Sequence, residues 1–238
     1  MPRSSRVSIV DVATRLAGVR ARIEAACSRA GRDPESVRLL PVSKTQSTKS
    51  IMEAYDAGIR TFGENKVQEL VEKADELAEI ADLRWALIGH LQSNKAKQAA
   101  AVAAEFHALD SIKVAAALNR RLHDLGRSLD VFIQVNSSAE PQKFGLAPDE
   151  VEQFARDLQP FGALRVRGLM TLAVLSDDER AVRACFERMR VLQQQLSDAG
   201  APGTFDELSM GMSGDFELAI EYGATTVRIG QAIFGERS

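Results

Sequence analysis

Apolar residues recur along this chain with two alternating periods. Between positions 8 and 30, Ile9, Val12, Ala13, Leu16, Val19, Ile23 and Ala26 follow one another mostly at steps of three and four, which predicts an amphipathic helix stopped by Gly31. Beyond it, short apolar runs take turns with longer helical patterns. The runs lie at 37–43, 59–63, 84–89, 105–109, 130–135, 165–172, 207–210 and 226–229, and the helical stretches at 48–57, 66–80, 95–104, 112–125, 148–158, 178–199 and 215–222. Ser47 and Ser111 stand where an N-cap accepts first-turn N–H groups, and Gly58, Gly126, Gly200 and Gly223 follow the last helical residues.

Strands that alternate with helices pair in parallel, because each connection must cross over the sheet. Eight such units behind one extra N-terminal helix predict a (β/α)8 TIM-type barrel, with residues 1–238 forming one domain. A doubly wound open sheet is the alternative, and the strand count argues against it.

Composition narrows the partners. At 238 residues and 45% hydrophobic, the chain can bury a sizeable core. Its 30 basic and 33 acidic residues are well mixed and leave a net charge of -3, so neither a nucleic-acid face nor an acidic tail is expected. A small molecule is the expected ligand. Cys27 and Cys185 lack metal-ligand spacing and suit a reducing, cytoplasmic setting. No apolar run approaches the ~18 residues of a membrane span, and "MPRSSRVSIVDVA" lacks the pattern of a signal peptide.

A barrel of this kind gathers its active groups at the carboxyl ends of its strands. Those positions are polar here: Lys44 after the first run, Glu64 and Asn65 after the second, His90 after the third, Asn136 after the fifth, and Met170 and Thr171 near the end of the sixth. The last two runs end in "SMGMSGDFELAI" and "RIGQAIFG". In the first, Gly211 and Gly214 allow close approach and Ser213 offers a hydroxyl ahead of a helix. In the second, Gly230 precedes a short extra helix at 231–234. Together they outline a phosphate cup; singly, each is also an ordinary capped loop.

Lys44 then has two readings. A surface lysine snorkelling from a strand end is the plain one. In an enclosed pocket, lost hydration disfavours the charged form and leaves an amine able to attack a carbonyl, and an aldehyde bearing a phosphate would suit both lysine and cup. His90 is either a satisfied hydrogen-bond partner or a catalyst, with less to be said for His107 and His123. Glu64 is a base or an acid favoured near a helix N-terminus. Asn65 is a helix cap or a ligand contact. Arg228, inside an apolar run, needs a partner: a strand-end carboxylate, a ligand ring nitrogen or a phosphate.

The stretches "LLPVSKTQ", "FGENKVQEL", "WALIGHLQSNK", "VNSSAEPQKFG", "GLMTLA", "LSMGMSGDFELAIEYG" and "VRIGQAIFG" span nearly the whole chain in order. They resemble the pyridoxal phosphate homeostasis proteins, also called proline synthase co-transcribed proteins, whose fold is like the barrel domain of alanine racemase. The resemblance implies that Lys44 forms an internal aldimine with pyridoxal 5'-phosphate (PLP). It also implies that Ser213 and the backbone amides of Gly230 and Gln231 hold the phosphate, that Arg228 faces the pyridine nitrogen, and that Asn65 and His90 lie near the cofactor. Two departures stand out: Gln231 where members often carry a hydroxyl residue, and Ala86 where members often read "WHFIGHLQ".

The function implied is that of a PLP carrier in vitamin B6 homeostasis, giving its cofactor up to apo-enzymes, with no catalytic residue and no metal. The second domain that supplies the opposing tyrosine in alanine racemase is not expected, and Tyr55 and Tyr222 fall on predicted helices. An arginine at the pyridine nitrogen would also weaken the ring as an electron sink. A weak amino-acid racemase, and a Schiff-base aldolase acting on a sugar phosphate, are the alternatives. An exposed barrel mouth leads us to expect a monomer or weak dimer.

Overall fold

The computed structural model describes residues 11–235, so the first residues of the helix predicted from position 8 lie outside the described residues. Eight strands form one parallel sheet: β1 (Arg38–Pro41), β2 (Thr61–Glu64), β3 (Arg84–Leu87), β4 (Glu105–Leu109), β5 (Leu129–Val135), β6 (Leu164–Thr171), β7 (Glu207–Ser209) and β8 (Thr226–Ile229). Their order is β1-β8-β7-β6-β5-β4-β3-β2. At the seam, Val42 bridges Gly63 and the Ser43 N–H donates to the Gly63 carbonyl at 3.0 Å, which nearly closes the ring. The open-sheet alternative is thereby set aside.

Helices fill the crossovers and pack outside the sheet: α1 (Val12–Arg29) ahead of it, then α2 (Thr48–Asp56), α3 (Val67–Glu76), α4 (Ala96–Val102), α5 (Ile112–Asp124), α6 (Val151–Asp157), α7 (Glu179–Asp198), α8 (Phe216–Glu221) and α9 (Gln231–Phe234). Asp11 caps α1 by accepting from the Thr14 N–H. Val12, Leu16, Val19, Ile23 and Ala26 are buried on one face, as the spacing predicts, whereas Ala13 is exposed. That face lies against α2, α8 and α9, and each large aliphatic it buries contributes about 1.5–3 kcal/mol.

The apolar runs overshoot the strands where side-chain chemistry intervenes. β1 ends at Pro41, which has no N–H to give, three residues short of Lys44, although the next residue, Val42, still donates its N–H to the Ile229 carbonyl at 2.9 Å. The helix predicted at 66–80 ends at Glu76, and the stretch at 95–104 opens as a 3-10 turn before α4. Ser47 caps α2 through the Ser50 N–H, but Ser111 makes no side-chain cap bond to α5. No described helix is long and apolar enough to cross a membrane.

A candidate ligand-binding site at the barrel mouth

The carboxyl ends of the strands open into a cavity of about 810 Å³. Lys44, Asn65, His90, Ser213, Arg228, Gly230 and Gln231, all read from strand ends in the sequence, line it together. Asn136 does not, and instead donates from its amide to the Glu140 carbonyl in its own loop. Ala86 is buried within β3, away from the lining.

Lys44 is half-buried rather than enclosed. Its neighbours are tied down on both sides. Ser43 is buried and donates from Oγ to Glu64 Oε1 at 2.6 Å, while the Thr45 N–H donates to Glu69 Oε1 with Thr45 at φ 63, in the left-handed region. Lys73, from α3, joins these contacts, donating to the Ser43 carbonyl at 2.7 Å, Glu64 Oε1 at 2.7 Å and Glu69 Oε1 at 2.8 Å. Glu64 is therefore a buried ion-pair partner and does not line the cavity, so neither a free base nor a simple helix-terminus acid describes it. Burial pushes its carboxyl up, against the pull of Lys73 and Ser43.

Asn65 is not the cap of α3, since Lys66 occupies that position. What fixes Asn65 is Gly89: a Cβ there would lie 2.1 Å from the Asn65 carbonyl oxygen, so only glycine lets the β2 and β3 ends meet. His90, next in the chain, is exposed and stacks on Phe144 with ring centroids 4.3 Å apart.

Across the mouth, Gly230 approaches β1 so closely that a Cβ would stand 3.0 Å from the Val42 carbonyl oxygen. Its own carbonyl accepts from Ile233 and Phe234 N–H, starting α9. The first N–H groups of a helix have no partner within it, so this turn presents donors beside the cavity. The turn before α8 places half-buried Ser213 and exposed Gly214 on the same wall.

Arg228 is buried and makes no ion pair among the described residues. Its Nη1 donates to Ser209 Oγ at 2.8 Å and its Nη2 to the Thr171 carbonyl at 2.7 Å, so neutral acceptors stand where a strand-end carboxylate was one of the partners the sequence left open. Burial pulls the guanidinium down to about 10, with Asp215 opposing, so it remains charged near neutrality. The lining also takes in Gln134, Phe144, Leu172 and Met212, which no strand-end pattern singles out. Phe144 had one signal, an aromatic ring between Lys143 and Gly145 in a polar loop.

A parallel barrel whose carboxyl-end mouth joins an amine, a buried guanidinium and two glycine-bearing turns defines a class: a barrel built to hold a small anionic ligand. The alanine racemase N-terminal domain family matches residues 15–238. The pyridoxal phosphate homeostasis protein of Pseudomonas aeruginosa is 42% identical over 226 residues, covering 95% of this chain and 96% of that protein. Its namesake in Escherichia coli strain K12 is 43% identical over 232 residues, covering 95% and 97%. Among solved structures, PipY of Synechococcus elongatus with PLP bound superposes with a TM-score of 0.84 at 37% identity, covering 94% of this chain and 100% of that one. An alanine racemase of Streptomyces lavendulae shares the fold at 18% identity and a TM-score of 0.70, this chain covering 58% of its length. The chain belongs to the alanine racemase N-terminal domain family and, within it, to the pyridoxal phosphate homeostasis proteins.

Proposed function

We propose that this protein binds PLP at the barrel mouth, holds it covalently through Lys44 and releases it to apo-enzymes, so limiting the free cofactor. The observation that carries this reading is the convergence on one cavity of Lys44, the Ser213 and Gly230 turns, and Arg228 with no carboxylate bonded to it. The parts suit the molecule. Lys44 would supply the amine for an aldehyde ligand, its two nitrogen-bound protons and the carbonyl oxygen departing together as a water molecule. Ser213 and the backbone donors at Gly230 and Gln231 would take the phosphate, with Gln231 contributing through its N–H where a side-chain hydroxyl is lacking. Arg228 offers only donors, so the ring atom beside it must be an acceptor, an unprotonated pyridine nitrogen.

The same lining supports holding over turnover. Among the described residues, its ionisable side chains are Lys44, His90 and Arg228. Tyr55 is engaged with Asp82 at 2.6 Å and Tyr222 ends α8, both away from the cavity. His90 favours a second reading, slow amino-acid racemisation with Lys44 as the other proton carrier.

Visible spectra of the protein mixed with PLP, followed by borohydride reduction and peptide mapping, test the proposal. A coloured complex reduced onto the Lys44 peptide is expected; a colourless protein or a label elsewhere overturns it. Turnover of single-enantiomer amino acids by the loaded protein at an ordinary enzyme rate would establish the second reading instead.

A further inference from the structure

A line of hydrogen bonds runs inside the barrel from the cavity to the opposite end. Arg228 donates to Ser209 Oγ at 2.8 Å, Ser209 Oγ lies 2.9 Å from His107 Nδ1, and His107 Nε2 lies 2.8 Å from Glu105 Oε2. Glu105 in turn accepts from Arg38 Nη1 and Nη2, at 2.5 and 2.7 Å. Arg38 and Glu105 are the first residues of β1 and β4, so this end of the line is the amino-terminal face.

The role of each atom follows from its partner. Glu105 is held as a carboxylate by Arg38, so the proton between it and His107 belongs to Nε2. Burial disfavours a charge on His107, and so do the cations Arg38 and Arg228, while Glu105 acts the other way; the ring of Phe132 lies 4.1 Å away. A neutral ring protonated at Nε2 has a bare Nδ1, which accepts. Ser209 must spend its single proton there, leaving lone pairs to Arg228. Every donor points the same way, from Arg228 through Ser209 and His107 to Glu105, and such chains polarise cooperatively. The buried guanidinium, with no carboxylate bonded to it, is thereby connected to an anion two groups away.

We propose that His107 is a positioning residue for the ligand site: its bare Nδ1 orients the Ser209 hydroxyl as an acceptor, which sets the Arg228 guanidinium and the N–H groups it turns to a ligand. The inference rests on reading the cavity as a PLP site. His107 itself is fully buried and does not line the cavity, so any effect it has on binding passes through Ser209 and Arg228.

Isotope-labelled histidine makes the relay visible by nitrogen NMR, since the chain has 3 histidines and each signal assigns by single substitution. His107 is expected to show a protonated Nε2 and a bare Nδ1 in the ligand-free protein, with the Nδ1 signal moving on addition of PLP. Ser209→Ala deletes one link with little change of volume. It is expected to abolish that movement, shift the visible band of the bound chromophore and weaken PLP affinity about tenfold, or ~1.4 kcal/mol. His107→Gln, which still offers an amide oxygen and N–H groups, should recover part of the affinity that His107→Phe loses.

A proton on Nδ1, an Nδ1 signal indifferent to PLP, or wild-type affinity and spectrum in Ser209→Ala would overturn the inference. The tautomer is read on the unsubstituted protein and stands apart from any folding defect of the variants. A wild-type protein that takes up no PLP overturns the ligand reading and this one with it; uptake by wild type with an insensitive Ser209→Ala overturns this one alone.

Discussion

The Lys73 ammonium donates to the main-chain carbonyl of Ser43 across 2.7 Å, and Ser43 is the residue that precedes Lys44. A helix outside the sheet thus grips the backbone that carries Lys44. Glu64 and Glu69 complete the grip, and Glu64 Oε2 is buried with no hydrogen-bond partner, so Lys73 is the cation that makes a carboxylate tolerable there.

Removing that cation should be costly. Lys73→Met leaves the Glu64 charge buried without its counter-ion and is expected to lower stability by about 3–5 kcal/mol, measured by urea unfolding. A loss under about 1 kcal/mol would mean that the cluster relaxes into solvent.

Lys44→Ala should separate chemistry from stability. The side chain is half-buried and supports no buried group, so unfolding free energy should stay within ~0.5 kcal/mol of wild type. Borohydride trapping of PLP should disappear. Undiminished labelling of the variant would place the amine elsewhere.

Acid should weaken the relay from its Glu105 end. Burial pushes the Glu105 carboxyl up, but the hydrogen bonds from Arg38 and His107 and the nearby charge outweigh this and hold it well below the usual carboxylate range. A carboxyl whose folded pKa is depressed adds stability that is fully present above its unfolded value, ~4.3, and is lost as the pH falls toward the folded one. Glu105→Gln is therefore expected to be less stable than wild type near neutrality, with the gap narrowing below pH ~4.3 in denaturant titrations at stepped pH. A gap constant across that range would show that Glu105 titrates alike in both states.

Gly89→Ala tests the contact that seats Asn65. The added Cβ would fall 2.1 Å from a main-chain oxygen, which cannot turn aside as a side chain would. A loss of about 1–3 kcal/mol is expected in thermal or urea unfolding, with weakened PLP binding because Asn65 and His90 both move. Wild-type stability would show that the β2 and β3 ends separate freely.

The mouth was legible because barrel strands announce their ends: an apolar run gives way to a polar residue, and Lys44, Asn65, His90 and Gly230 stand at such steps. Arg228 was legible for the opposite reason, as a charge within an apolar run. Lys73 was not. In the helical stretch at 66–80 it reads as one more solvated residue, and only the packing of α3 beside the β1 turn buries it. Ser209 and His107 were hidden because their meaning lies in each other, across 102 positions of sequence.

The periods of hydrophobicity, the glycine stops and the polar strand ends determined by themselves the alternation of strand and helix, the buried face of α1 and part of the lining of the mouth, because local periodicity dictates which face of each element is buried. The ionic grip on Lys44 and the relay behind Arg228 were decided only by the tertiary structure. Both join side chains from separate elements inside a poorly hydrated interior, where a charge must find a partner in space and the chain's linear order says nothing about which one.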